Sequence, residues 1–209
     1  MNWTEASRCD LRIGRITTKI HPKYPELSLF NHATNGQILD CDSLTTRGII
    51  INTLTGDLVA TPFPTFFSLN EWNHHHGDLP QTLLFEKLIG SLGIAFYYKD
   101  EWHLCTRGSF VSGPAAWGYK WFKTYITDAS LHTNMTYLFE IVYDENSPTG
   151  MPCDFSGLVL LCIVETKTGI DCTTMPLPTL RGSPPHYHNN NYIRTAQRIG
   201  RVQYFGSTK

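Results

Sequence analysis

Four charged side chains stand at positions typical of phosphate or nucleophilic chemistry. Arg47 begins a β-branched run and Arg107 precedes a Gly-Ser pair, and a guanidinium binds a phosphate through a planar fork of donors. Lys87 ends an apolar run three residues before Gly90, and a lysine amine becomes a nucleophile once burial or a neighbouring cation removes its proton. Glu140 interrupts an apolar run, where a buried carboxylate needs a partner. Taken singly, each could equally be an ordinary strand-end or surface charge.

Short apolar and β-branched runs surround these residues. Turn residues at 55–57 and 99–101 join neighbouring runs as hairpins. Residues 113–128 begin with Gly-Pro and carry aromatic side chains on roughly one face, which predicts a helix. We predict strands at 47–52, 58–61, 82–87, 91–98, 102–106, 137–143 and 158–164, with weaker candidates near 11–17 and 26–31. The pattern indicates an α+β protein built on antiparallel sheet.

Composition places the chain among ordinary globular proteins. It has 209 residues, of which 41% are hydrophobic and 17% charged, enough for one large domain with a sizeable core. No run approaches the roughly 18 uncharged apolar residues of a membrane-spanning helix, and the first residues lack a signal-peptide pattern. We therefore expect an intracellular, cytoplasmic protein without membrane contact, whose oligomeric state the sequence leaves open.

The overall charge and the spacing of metal-ligand residues give no signal for a nucleic-acid partner or for a zinc site. The formal net charge is −1, so no global positive field indicates a nucleic-acid partner, although residues 176–209 carry five basic and no acidic side chains. Six cysteines occur without a Cys-x-x-Cys pair, and the consecutive His74, His75 and His76 would point apart. The sequence therefore predicts no zinc site.

Five segments occur in an order that resembles the phage-type RNA ligase 1 family, in its N-terminal adenylyltransferase domain. The similarity runs from about residue 28 to about residue 172. Each segment is a weak signal by itself, whereas the ordered set is specific. The segments are Arg47-Gly48, the proline-phenylalanine run 62–71, Glu86–Ser91 at the family's lysine motif, Thr106–Phe110, and the Phe139-Glu140 strand.

The resemblance implies an α+β, antiparallel-sheet domain of the covalent nucleotidyltransferase type, and an ATP-dependent RNA ligase. Lys87 matches the catalytic lysine, which would attack the α-phosphorus of ATP to give lysyl-AMP for transfer to an RNA 5′-phosphate. RNA ends, tRNA among them, are the implied partners, in RNA repair. By the same resemblance Glu140 is the implied Mg²⁺ ligand, and the implied nucleotide-binding residues are Arg47, Phe67, Glu86, Gly90, Arg107 and Glu140.

The chain departs from this pattern at several positions. Ile89 replaces the aspartate of the lysine motif, and Thr65 replaces a lysine that would contact phosphate. The family's later Glu-Gly and Lys-x-Lys motifs are absent, so we expect a domain that is incomplete at its C-terminus. A non-catalytic nucleotide- or RNA-binding module, or an inert fragment, is the alternative. We predict three segments: an irregular 1–27, the partial ligase domain 28–172, and a poorly ordered basic tail 173–209.

Overall fold

A computed structural model describes residues 16–32, 46–63, 88–146, 155–173, 175, 176 and 178. Within these ranges eight strands form two four-stranded antiparallel sheets, and there is one α-helix. The elements are β1 (Ile16–Ile20), β2 (Leu27–His32), β3 (Arg47–Asn52), β4 (Leu58–Ala60), β5 (Ser91–Tyr98), β6 (Glu101–Thr106), α1 (Gly113–Tyr125), β7 (Met135–Val142) and β8 (Gly157–Glu165). The predicted α+β class with antiparallel sheets is confirmed.

The two sheets pack against each other through apolar side chains. The first sheet has the order β1-β2-β3-β4, and the second has the order β6-β5-β7-β8. Residues of both sheets form one cluster, the inter-sheet core, which includes Leu29, Ile50, Ile94, Phe96 and Leu138. α1 covers the other face of the second sheet. The central strands of that sheet, β5 and β7, are therefore buried on both faces, and their sequences are nearly continuous apolar runs.

Local sequence sets both ends of α1. The Ser112 hydroxyl accepts a hydrogen bond from the Ala115 N–H at 3.2 Å, and a proline occupies the first turn, where its missing N–H costs nothing. The helix ends at Tyr125. Its buried residues are Ala115, Gly118, Trp121 and Phe122, and the other two residues of the predicted aromatic face, Trp117 and Tyr125, are partly buried and pack against the same core.

Two predicted hairpins are confirmed. β3 pairs with β4, and β5 pairs with β6 through a two-residue turn in which Lys99 and Asp100 have φ of 46° and 61°. The predicted strand at 82–87 lies outside the described residues. β1 begins at Ile16, so the candidate near 11–17 reaches only its first two residues.

The predicted division into 1–27, 28–172 and 173–209 stays a prediction. Among the described residues, no helix is long and apolar enough to cross a membrane.

Candidate functional site

The start of β5 lies between two charged residues that the sequence singled out. Leu92 pairs with Glu140 on β7, and on its other side the Leu92 carbonyl accepts a hydrogen bond from the Arg107 N–H at 3.3 Å. Arg107 and Glu140 therefore flank one strand, with backbones roughly 10 Å apart at two strand spacings. Antiparallel pairing brings together residues that are 33 positions apart in the chain.

Gly48 brings the first sheet against the same edge. Its φ is 92°, and a Cβ built there would lie 2.9 Å from Ile94 Cδ1 and 3.1 Å from both the Cα and the carbonyl oxygen of Arg107. A side chain would therefore be strained twice, by the backbone conformation and by the contact. The Arg-Gly pair is explained by this close approach, which sets Arg47 beside the Arg107 segment.

The three charged groups interact electrostatically. Partial burial is the main cause that lowers the pKa of Arg47, to about 10; the Arg107 charge lowers it further and Glu140 raises it. Arg47 therefore stays protonated at neutral pH, and all three side chains are partly exposed. Two of these three groups are guanidiniums, which can bind an anionic ligand through charge-assisted hydrogen bonds.

Gly90 borders Glu140. A Cβ at position 90 would lie 3.2 Å from Glu140 Cγ. It would lie less than 3.0 Å from the Ile141 carbonyl oxygen, a separation that real Cβ atoms essentially never show. Since the obstacle is backbone, it cannot move aside as a flexible side chain would. The glycine lets the segment that follows Lys87 run directly against β7.

Asn146 is a contributor that the sequence analysis missed. Its side-chain oxygen accepts a hydrogen bond from the Ser91 hydroxyl at 3.0 Å, and its Nδ2 donates to the Ile141 carbonyl at 2.8 Å. The side chain joins β5 to β7 beside Gly90. The polar run 144–147 after β7 was the available signal, but hydrogen bonding to a strand 55 residues earlier has no sequence pattern.

Arg107 stands at the tip of a tight turn. Thr106 and Ser109 pair across it, with the Thr106 N–H 3.0 Å from the Ser109 carbonyl and the Ser109 N–H 3.3 Å from the Thr106 carbonyl. The Thr106 hydroxyl also donates to the Ser109 carbonyl at 3.1 Å. These bonds fix the backbone that carries Arg107, a segment that we call the Arg107 turn (residues 106–110).

The structure thus brings together four of the predicted site residues: Arg47, Gly90, Arg107 and Glu140. The other three lie outside the described residues: Phe67, Glu86 and Lys87. Ile89, which stands where the lysine motif of the resembled family has an aspartate, has 46% of its surface exposed.

Glu140 is the carboxylate that the described residues bring together with Arg47 and Arg107. Within the described ranges no group of three or more His, Cys, Asp or Glu side chains could hold a metal ion. Mg²⁺ in nucleotide enzymes is often held by one or two carboxylates together with substrate phosphates. Glu140 fits that kind of site, whereas an all-protein metal cage does not fit the described part of the chain.

Comparison with known proteins gives a match in fold. No family model matches the chain, and no curated protein does. A solved structure titled "Putative ATP-dependent DNA ligase from Aquifex aeolicus" superposes with a TM-score of 0.53 at 13% sequence identity, covering 93% of this chain and 54% of that one. The chain therefore spans about half the length of that ligase chain. The likeness shows that this chain has a fold of the ligase or nucleotidyltransferase type.

Proposed function

We propose that this protein binds ATP at the edge formed by Arg47, Gly90, Arg107 and Glu140, and that it is an ATP-dependent ligase of nucleic-acid ends. The observation that carries the proposal is the convergence of these four residues, from four separate segments, on one edge of a ligase-type fold. We further propose RNA ends, tRNA among them, as the nucleic acid and the cytoplasm as the location. RNA is favoured by the order of the five sequence segments.

Each described residue has a task in this proposal. The guanidinium groups of Arg47 and Arg107 bind the phosphates, where charge-assisted hydrogen bonds are strongest in a partly desolvated setting. Gly90 lets the segment that follows Lys87 run directly against β7, beside Glu140. Glu140 contacts the ribose or, through nucleotide phosphates, Mg²⁺, an ion that supplies charge neutralisation when bound.

Lys87 is the proposed nucleophile in a reaction of three steps. The deprotonated amine attacks the α-phosphorus, the Nζ–P bond forms, and the bond to the β-phosphate oxygen breaks with its electron pair leaving on pyrophosphate. A 5′-phosphate oxygen of the nucleic acid then attacks the same phosphorus and breaks the Nζ–P bond. Finally a 3′-hydroxyl attacks the activated 5′-phosphate, and AMP leaves.

Intact-mass spectrometry after incubation with ATP and Mg²⁺ tests the first step. The parent chain should gain the mass of one AMP, Lys87→Ala should gain none, and Lys120→Ala, which changes a lysine of α1, should label like the parent. Addition of 5′-phosphorylated RNA should discharge the adduct faster than the same DNA sequence. An unlabelled, folded parent would contradict the enzyme proposal.

The second candidate is a non-catalytic nucleotide- or RNA-binding module on the same fold. Ile89 favours it, because an exposed alkyl side chain stands where the ligase motif has a carboxylate. ATP would then raise the melting temperature without forming an adduct. The same two measurements separate the candidates, and an Ile89→Asp variant that gains labelling would identify this position as the reason for inactivity.

A further inference from the structure

The turn between β1 and β2 is organised by a histidine side chain. His21 Nδ1 accepts hydrogen bonds from the backbone N–H groups of Lys23 at 3.1 Å and Tyr24 at 3.2 Å. Two donors on one ring nitrogen require a lone pair there, so the ring is neutral with its proton on Nε2. The turn of the first sheet is therefore held in shape by the His21 ring.

The same ring lies against His103 of the second sheet and against Phe110, which follows β6. Its centroid is 4.7 Å from that of Phe110 at an interplanar angle of 67°, and 5.6 Å from that of His103 on β6. It also stacks on Tyr24 at 5.1 Å. Edge-to-face contacts of this kind favour one relative orientation of the rings. The β1–β2 turn thus fixes the position of Phe110.

Phe110 is the last residue of the Arg107 turn. It packs against the inter-sheet core, whereas the next residue, Val111, has 71% of its surface exposed. Backbone pairing of Thr106 with Ser109 gives the turn its shape. Phe110 anchors that shape to the body of the molecule, three residues from the guanidinium that the proposed function assigns to phosphate.

We propose that His21 and Phe110 are positioning residues for Arg107: the ring contact between the two sheets holds the Arg107 turn in its phosphate-binding orientation. This inference rests on the proposed function, since it assumes that Arg107 contacts ATP. Neither residue needs to touch the nucleotide.

Burial keeps the His21 ring neutral, and charged groups on the neighbouring elements act on it in both directions. Lys23 and Glu26 lie on its own turn, and Glu101 and His103 lie on β6. Burial is the main cause that lowers the pKa of His21, to about 4, and the charges of His103 and Lys23 add to it against the opposing carboxylates. At neutral pH the acceptor role of Nδ1 is therefore maintained.

A double-mutant cycle on the full chain tests the inference, with ATP affinity measured by calorimetry. Arg107→Ala should weaken ATP binding by about tenfold, because it removes a charge-assisted contact with phosphate. Phe110→Ala should weaken ATP binding by about three- to tenfold, because it acts through that Arg107 contact. In the Arg107→Ala background, Phe110→Ala should have no further effect on affinity. Phe110→Leu repeats the test with less loss of packing, should the alanine variant fail to fold.

Two substitutions separate the roles of the His21 ring. His21→Asn keeps an acceptor for the turn but removes the ring, so it should weaken ATP binding to a similar extent as Phe110→Ala. His21→Phe keeps a ring against Phe110 and should bind ATP within about twofold of the parent, although it loses two hydrogen bonds and melts at lower temperature. Tyr125→Leu, which disrupts an aromatic contact with Trp121 at 4.9 Å on α1, is the control and should leave ATP affinity unchanged.

Different results of these experiments would contradict the positioning role and the proposed function. Independent, additive losses for Arg107→Ala and Phe110→Ala, or parental affinity in His21→Asn, would overturn this inference and leave the proposed function intact. A parent chain that binds no ATP would overturn both. Loss of Phe110 sensitivity in the Arg107→Ala background is a result that a merely structural role for Phe110 would not produce.

Discussion

The β5–β6 hairpin has charged groups at both of its ends, and the two ends differ in how those charges are arranged. At the Ser91 and Thr106 end, two arginines and one glutamate converge. At the turn end, roughly 20 Å away along eight residues of strand, two lysines and two glutamates form what we call the ionic network. Its members are Lys23, Glu26, Lys99 and Glu101, with Tyr24 and Tyr98 donating hydrogen bonds to the carboxylates.

The ionic network is balanced within itself. Glu101 is 2.6 Å from both the Lys23 ammonium and the Tyr24 hydroxyl, and Glu26 is 2.6 Å from the Lys99 ammonium. These contacts hold the first sheet against the hairpin and leave no excess charge for a ligand. At the opposite end two arginines lie with one glutamate in a partly buried setting, and a guanidinium there can bind a phosphate. The two ends therefore differ in the kind of charged group: lysine–glutamate ion pairs in the ionic network, and two neighbouring arginines at the candidate site.

The largest expected effect comes from adding a side chain at Gly90. Gly90→Ala places a methyl group against the Ile141 backbone, and we expect a loss of about 2–4 kcal/mol in the free energy of unfolding together with weakened ATP binding. Gly108→Ala is the matched control, because a Cβ there meets nothing within 4 Å. Thermal unfolding with and without ATP measures both effects. Equal melting temperatures for the two variants would contradict the packing described at this edge.

A second pair of glycines isolates the contact between the first sheet and Arg107. Gly48 and Gly56 both have positive φ, 92° and 79°, but only Gly48 has neighbours within 4 Å. Each alanine variant should lose about 1–2 kcal/mol from backbone strain. Gly48→Ala should lose about 1–2 kcal/mol more from overpacking and should alone weaken ATP binding. The comparison fails if both variants bind ATP with parental affinity.

Much of the secondary structure could be predicted from the sequence, whereas the contacts between segments could not. β3, β5 and β8 follow from β-branched and apolar runs bounded by turn residues, and α1 follows from its Ser-Gly-Pro start. β1 reads Ile-Thr-Thr-Lys-Ile with four of five residues exposed, so it lacks a strong strand pattern.

The candidate site was predictable only through the order of five segments. That order pointed to Arg47, Gly90, Arg107 and Glu140, but nothing in their spacing says that they are neighbours. The ionic network is equally hidden, since Tyr24 and Glu101 are 77 residues apart. Sequence periodicity reports which face of a strand is apolar, and it carries no information about which distant charge a side chain meets.

His21 and the ionic network should lose their contributions to folding stability in different pH ranges. The pKa of His21 in the folded protein is about 4, below its ordinary 6.5, so the unfolded chain binds the proton first as pH falls. Stability from the neutral ring is present above pH 6.5 and is lost as pH falls from about 6.5 to 4. The loss should be roughly 1–2 kcal/mol, less than the full pKa shift would give, because the ring is partly exposed.

Urea unfolding across this pH range, with His21→Asn beside the parent, measures that loss. The variant should have a flatter stability profile between pH 6.5 and 4. Glu26 and Glu101, whose paired lysines hold both pKa values at about 2, should act lower, between pH 4.5 and 2. An unaltered profile in His21→Asn would contradict the neutral-ring assignment.

The smallest expected effect is a gain in stability at the turn of the ionic network. Lys99 and Asp100 both adopt positive φ, the conformation of a two-residue hairpin turn in which glycine is favoured. Asp100→Gly removes backbone strain without touching the Lys99–Glu26 ion pair, so we expect a gain of about 0.5–1 kcal/mol in thermal unfolding. ATP affinity should stay at the parental value, because this substitution alters neither the ion pairs of the network nor the contact between His21 and Phe110. A change in ATP binding in this variant would show that the two ends communicate through β5 and β6.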